Sequence, residues 1–593
     1  MSAADEYRVQ RLRTRAQWES GLAFRLSLGD AGIALFPSPA FHGWLPAGAR
    51  GGRVTAMAVD ECGQLLWTEC RSARERPRGG RCTLWLYNRV TDTSERLGSL
   101  DSACDAGDAG FDPVRLWIDD VAVWVLDAGA GRILGFARET LQLLHEIHLH
   151  SPIDAAYAGE GRFVVLEEVR GRVQLTRYEA RGRRGPAAQP SRCLDADGAP
   201  VWARPVGVAV SGAWAWVLDA GPTRPDDPER LRYPADCGPR FVRVPLDFDT
   251  PRGPCDPRER CEIIPIPRRR DDGCEAIPGQ GLDPDLVLPD RERCGIGAPR
   301  IVADRAGSLY VLFADRLDRP RLVQFDPAGS LLGEIRLPAR PGRAGGAEAP
   351  RRVEAMAAGA GGELLLLTDV GLALFTLEHV SVGASGDYYL RTLDNGVEEG
   401  SWHRVALRAE LPRGTRLEIR AYASDQHVLR DSVNTALDDP ARLPHQKRAH
   451  LESLLGPLWE TVAAIDGEGD TGPDPAARAG SAVNLNQDAL FLRARGRYLW
   501  LKLSLFSFDE ASRPAVRELQ VVHPRDSYLR YLPATFQEVP GDPSQDTPER
   551  DFLMRFLSLF ETPMRALELE IDAIPELFDP AATPAGFLPW LAG

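Results

Sequence analysis

The side chains with which this chain could do chemistry are ten cysteines, ten histidines and a recurring set of aspartates. Asp60, Asp127, Asp219 and Asp304 each follow a short apolar stretch. Carboxylates so placed have two uses. Ringed around the central channel of a propeller, they would hold a metal for hydrolysis. Folded back on their own turns, they would accept backbone amides as Asx-turn residues do. Recurrence at one place in each unit favours the turn, because a catalytic site breaks repeat symmetry and turn chemistry follows it. The cysteines all lie between Cys62 and Cys294, and Cys237, Cys255, Cys261, Cys274 and Cys294 fall in one Pro- and Arg-rich stretch. None forms a Cys-x-x-Cys pair, so the spacing fits structural zinc poorly. Free thiols suit a reducing cytoplasm, and disulfides stapling that stretch are the alternative. His148 and His150, with His145 nearby, would share a strand face, where a solvated surface is a simpler reading than a metal site. Asp466, Glu468 and Asp470 share a Gly-rich loop, yet the twelfth position of a calcium loop counted from Asp466 is Ala477, not the bidentate Glu. Nucleophile-elbow, zincin and phosphate-loop motifs are absent from the sequence. The reading is therefore of a chain that is not an enzyme and has no cofactor.

Composition narrows the partners. The formal net charge is −14 over 593 residues. Nucleic-acid binding needs clustered Lys and Arg, so no nucleic acid is expected. The charge suits solubility and docking onto basic faces. No run reaches the roughly 18–20 apolar residues of a membrane span, and Met1-Ser2-Ala3-Ala4-Asp5-Glu6 does not open a secretory signal. Cytoplasmic synthesis and assembly are expected. The length suggests about three or four domains.

The elements that must position these residues are mostly strands. From 50 to 378, six units pair a small apolar strand with a second one rich in Trp, Tyr, Val or Leu. Examples are Val54–Val59 with Leu65–Trp67, and Val114–Ile118 with Val123–Asp127. Several units add third and fourth strands. This spacing predicts a β-propeller of six blades, and it resembles the NHL-type propellers. A Pro/Cys-rich insertion at 221–298 is expected to project from one face without supplying blade strands. Residues 1–49 form an N-terminal segment with the option of closing the propeller. Residues 379–523 alternate apolar and polar positions as an antiparallel β-sandwich would, interrupted by a helix near 451–465. The fold class is therefore mainly β, with a C-terminal α-helical docking segment at 524–593.

That last segment is dense in exposed-type aromatics. Tyr528, Leu529, Tyr531, Leu532 and Phe536 come first. A stripe at helical spacing follows: Leu553, Phe556, Phe560, Leu567 and Ile571. Leu577, Phe578, Phe587, Leu588 and Trp590 close the chain. Such a stripe is ordinary core in most proteins. Here it has no obvious folded partner within the chain, and all fifteen residues are read as a subunit interface.

The ordered series "YLRYLP…FQ", "FLMRFLSLFE", "LFDP" and "FLPWLA" resembles the phage tail protein I family, over the last seventy residues only. The resemblance implies a baseplate wedge component of a contractile phage tail or a phage-tail-like contractile injection system. It would be a structural virion component whose tail helices bundle with a baseplate protein J-like subunit. Hub, spike and sheath proteins would be its other neighbours, and the propeller would lie outward. Two other functions stay open: a propeller hydrolase or lactonase, and a surface module that binds carbohydrate or protein.

Overall fold

The computed structural model describes residues 8–29, 32–45, 53–60, 64–70, 82–88, 93–100, 111–170, 172–180, 187–191, 202, 204–221, 239–246, 261–266, 282–283, 286–288, 300–341, 347–359, 362–379, 383–440, 442–467, 484–491, 493–509, 512–523, 533, 556–557, 560, 564 and 567. The chain divides into two compact units. One spans 36–384 with 509–511; the other combines the N-terminal 35 residues with 385–508 and the chain from 512 onward.

The first unit holds six four-stranded antiparallel sheets. Blade 1 runs through Arg53–Val59, Leu65–Cys70, Cys82–Asn88 and Thr93–Ser99. Blade 2 runs through Pro113–Ile118, Ala122–Asp127, Arg132–Ala137 and Leu143–His148, and blade 3 through Pro152–Gly159, Arg162–Val169, Arg172–Glu179 and Ala187–Ser191. Blade 4 comprises Pro205–Ser211, Trp214–Asp219, Arg240–Pro245 and Glu262–Pro265, and blade 5 Ile301–Ala303, Leu309–Ala314, Pro320–Phe325 and Leu331–Ile335. Blade 6 takes Val353–Ala358, Leu364–Thr368 and Gly371–His379 from late in the unit, and Ser38–Leu45 from its beginning.

Each apolar layer joins two successive blades. Met57 and Trp67 of blade 1 meet Leu365 and Leu374 of blade 6. Ala58 and Leu84 meet Val123 and Phe136. Trp124 and Ile147 meet Phe163 and Tyr178, and Val164 meets Val217 and Val242. Phe241 of blade 4 packs edge to face on Phe325 of blade 5, 5.0 Å between ring centres. Tyr310 and Leu322 then meet Leu364 and Phe375. The ring is therefore closed, as a six-bladed propeller must be, since no single blade can bury both of its faces.

One expectation about this region needs correction, and one choice left open is answered in part. The 221–298 insertion does supply blade strands. Arg240–Pro245 and Glu262–Pro265 are the outer half of blade 4, and Phe241, Val242 and Val244 are fully buried. The high Pro and charge content of the stretch masks the six-residue apolar alternation Arg240–Pro245. The cysteines are not all free thiols: Cys70 and Cys82, directly opposed on neighbouring strands of blade 1, form a disulfide, and Cys261 is also disulfide-bonded.

The second unit contains two six-stranded antiparallel sheets. One is built from Leu26–Gly29, Gly32–Leu35, Ala515–His523, Arg404–Glu410 and Asn484–Leu490, with Arg8–Leu12 beside Ala515–His523. The other orders Leu22–Phe24, Ser385–Tyr389, Tyr498–Ser507, Thr415–Ser424 and Glu460–Asp466, with Leu393–Asp394 also on the long strand. The N-terminal residues are thus shared: 8–35 belong to this unit and Ser38–Leu45 to the propeller. Helices α1 (Arg15–Trp18), α2 (His427–Asp438) and α3 (Pro444–Leu455) complete the unit. The helical interruption lies earlier than the sequence suggests, since 460–466 is a strand. Leu429, Val433 and Ala436 of α2 and Leu451 and Leu455 of α3 pack on Leu22, Tyr389, Tyr498 and Trp500. Leu417, Ile419, Leu501, Leu503 and Leu505 alternate with these positions and are also buried.

Because blade 4 draws on the insertion, excising 221–298 should abolish propeller folding. Each large side chain uncovered is worth about 1.5–3 kcal/mol, against a total of roughly 5–15 for a domain. A cooperative melt of the excised protein by circular dichroism would contradict this.

Candidate interaction surface

The recurring aspartates occupy two kinds of turn. In the first, the carboxylate sits at the hairpin after an inner strand. Asp60 accepts from the Gln64 amide at 2.7 Å, Asp119 from Val121 and Ala122 at 2.9 and 2.7 Å, and Asp304 from Ser308 at 2.9 Å. The second oxygen reaches a side chain on the next strand: Trp124 Nε1 donates to Asp119 at 2.8 Å and the Tyr310 hydroxyl to Asp304 at 2.8 Å.

In the second kind, the carboxylate ends the second strand and ties down the residue entering the inner strand. Asp127 accepts from Asp112 at 3.0 Å, Asp219 from Arg204 at 2.6 Å and Asp369 from Arg351 at 3.0 Å. Blade 3 uses Glu167, which accepts from the His150 amide at 3.1 Å and the Tyr178 hydroxyl at 3.0 Å. Arg132 and Arg240, each opening a third strand, neutralise Asp127 and Asp219 at 3.0 and 2.9 Å. The turn reading therefore accounts for Asp60, Asp127, Asp219 and Asp304. The expectation that they recur at one place in each unit needs correction: Asp60 and Asp304 follow first strands, Asp127 and Asp219 end second strands, and Asp119, Glu167 and Asp369 complete the two sets.

The inner strands share one register level, occupied in blade order by Ala56, Arg115, Asp154, Gly207, Arg300 and Ala355. Arg115 Nη2 lies 2.7 Å from Asp154 Oδ1, with both side chains buried. The other oxygen of Asp154 accepts from the Val208 amide at 3.0 Å. A Cβ at Gly207 would come within 3.4 Å of that oxygen and 3.0 Å of Ile301, so the missing side chain leaves room for this pairing. The one carboxylate at this level is occupied by a guanidinium and backbone amides.

Other candidates separate. His145 stacks on Trp124 at 5.5 Å, His148 is largely exposed beside Glu146, and His150 lies beyond the strand end. Among the described residues no cluster of His, Cys, Asp and Glu is arranged to hold a metal. Of the proposed calcium loop, Asp466 lies 3.5 Å from Arg416, while Glu468 and Asp470 fall outside the described residues.

The interface stripe is represented by Phe556, Phe560, Met564 and Leu567, all in helical conformation. They are 47, 53, 50 and 53% exposed, and the two phenyl rings meet edge to face at 5.5 Å. Spacings of four, four and three are those of side chains on one face of a helix. Tyr528, Leu529, Tyr531, Leu532, Phe536, Leu553, Ile571, Leu577, Phe578, Phe587, Leu588 and Trp590 lie outside the described residues. Met564 has the same spacing and a similar exposure.

No family model and no curated relative matches the chain. Among solved structures, a gluconolactonase from Xanthomonas campestris is 14% identical, covering 58% of this chain and 98% of its own, with a TM-score of 0.31. A streptogramin B lyase is 10% identical over 64% of this chain and all of its own, at 0.29. A nidogen/laminin complex chain is 12% identical over 53% of this chain and 92% of its own, at 0.28.

Two outcomes follow from the carboxylate turns. Asp127→Ala leaves Arg132 its bond to Glu146, at 2.8 Å, and strips the Asp112, Gly129 and Ala130 amides of their acceptor; it should cost about 1–3 kcal/mol in urea unfolding, and a loss under about 0.5 kcal/mol would contradict the assignment. At Asp119, burial pushes the carboxyl up, but hydrogen bonds from Tyr157, Trp124 and the Ala122 and Val121 amides together hold it below its ordinary 3.8. The stability it contributes is present above the unfolded value and is lost as pH falls through the folded one. Asp119→Asn should therefore flatten the fall in melting temperature below about pH 4, and an unchanged acid limb would count against it.

Proposed function

We propose that this chain is a structural baseplate wedge subunit of a contractile phage-tail-like particle. Its C-terminal helix docks on other wedge proteins, a baseplate protein J-like subunit first among them, and its propeller sits at the periphery. The observation that carries the reading is the half-exposed stripe Phe556, Phe560, Met564 and Leu567. Four large apolar side chains on one helix face, with about half of each in contact with water, are the pattern of a surface awaiting a partner. The four ordered motifs of the last seventy residues supply the kind of partner. The family resemblance is to a wedge component, and helices of this length gain most of their stability from packing.

The channel bears on the alternative of a propeller hydrolase. Metal-dependent hydrolysis there needs several carboxylates free to bind an ion. Asp154 is instead paired to Arg115, and the turn aspartates are bound to amides. A structural role asks nothing of the channel except that it be filled.

Phe556→Ala with Phe560→Ala should cost several kcal/mol at the interface, at about 1.5–3 kcal/mol per large side chain buried, and leave the propeller melting as before. Particle assembly with the other baseplate proteins is the readout. Normal assembly of the double variant would refute the docking role, and loss of propeller folding would assign the stripe to the chain's own core.

A further inference from the structure

We propose that Lys502 and Asp387 condense to an intramolecular isopeptide bond, with Glu452 as the proton carrier. Tyr389 pairs with Lys502 and Asp387 with Ser504 on neighbouring antiparallel strands, so all four side chains share one sheet face. Helix α3 lies over that face and contributes Arg448 and Glu452. Lys502 Nζ is 2.6 Å from Glu452 Oε1 and 3.6 Å from Asp387 Oδ1. The second distance is too long for a hydrogen bond, so Nζ is not tied to Oδ1 and has Cγ, one bond beyond that oxygen, beside it. Lys502 and Asp387 are 8 and 15% exposed, so little water competes.

The surrounding groups have matching roles. Arg448 holds Asp387 Oδ2 through Nε and Nη2, both at 2.9 Å, where it can take up the negative charge that develops when nitrogen attacks the carboxyl carbon. Ser504 Oγ donates to Oδ1 at 2.7 Å and fixes the carboxyl rotamer. The Tyr389 hydroxyl donates to Glu452 at 2.5 Å, orienting the carboxylate toward Nζ.

The step balances without any co-reactant. Glu452 removes one proton from the Lys502 ammonium and frees its lone pair. The nitrogen bonds to Cγ of Asp387 as Glu452 passes that proton to Oδ1. A second proton follows the same route from nitrogen, the Cγ–Oδ1 bond breaks, and Oδ1 leaves as water. One ammonium and one carboxylate become one amide and one water.

Burial supplies the bias. Two cations and two carboxylates crowded under a helix carry a desolvation cost. Condensation removes one of each and leaves Arg448 and Glu452, an i,i+4 pair on α3. The bond would join Ser385–Tyr389 to Tyr498–Ser507. Ser385 is where the chain returns from the propeller, so the amide would lock that return covalently.

The test is the intact mass of the purified full-length chain after disulfide reduction. It should fall short of the sequence mass by one water, and tandem mass spectrometry should find a branched peptide joining Asp387 to Lys502. Lys502→Arg should restore the full mass, and Glu452→Gln should slow or stop bond formation while the circular dichroism spectrum stays native. Wild-type protein at full sequence mass after prolonged incubation in the folded state would overturn the proposal. So would a lost water that maps to another site, such as an aspartyl succinimide.

Discussion

Closure of the ring is the constraint on which the propeller depends. Six faces must each find a neighbour, and the sixth is completed by Ser38–Leu45, which pairs with Gly371–His379 across most of the unit's length. Once the ring closes, the inner strands converge, and the level nearest the axis must hold small residues or mutually neutral ones. Ala56, Gly207 and Ala355 meet the first condition and the Arg115–Asp154 pair the second; Arg300, buried at the same level, is the exception. The carboxylate turns serve the same end. By fastening the second strand to the residue entering the first, they fix how far each inner strand projects toward the axis.

Much of this was legible in the sequence because it repeats. The apolar strand, the turn aspartate and the aromatic second strand recur often enough to reveal blade number and turn chemistry. What the sequence hid was long-range pairing. Residues 8–35 form strands of three to five residues separated by turns, too short for alternation to announce a partner, and Leu22–Phe24 finds its partner more than 360 positions away at Asp387–Tyr389. Blade 4 was hidden by composition: the Pro and Arg around Arg240–Pro245 outweigh its few apolar positions in any averaged reading. Helix α2 was missed because His427–Asp438 contains β-branched and small polar residues, and packing on Tyr498 and Trp500 overrides weak propensity.

The two units handle charge and apolar surface differently. In the propeller, buried carboxylates are met by arginines or amides in small separate groups, some within a blade, as Asp127 with Arg132, and some between neighbours, as Asp154 with Arg115 and Asp60 with Arg138. In the second unit, Lys502 and Asp387 on one sheet and Arg448 and Glu452 on helix α3 are gathered into a single group. Phe556, Phe560, Met564 and Leu567 belong to neither scheme: each is about half exposed.

The division of the N-terminal 45 residues between two units has a consequence for the order of folding. Strands Leu22–Phe24 and Gly32–Leu35 are synthesised first, yet their partners near 388 and 516 are made last. On the ribosome they must wait while the whole propeller emerges, with their hydrogen-bonding edges unpaired. The propeller can begin to form locally, blade by blade, but cannot close until residue 379 is out. Contacts of such sequence separation make folding slow, and the waiting strands are the segment most exposed to mispairing with a neighbouring nascent chain. Rapid local formation of the blades between them would shorten the loop that must close before the early and late strands of the second unit can pair, so the inserted ring acts as a folding tether.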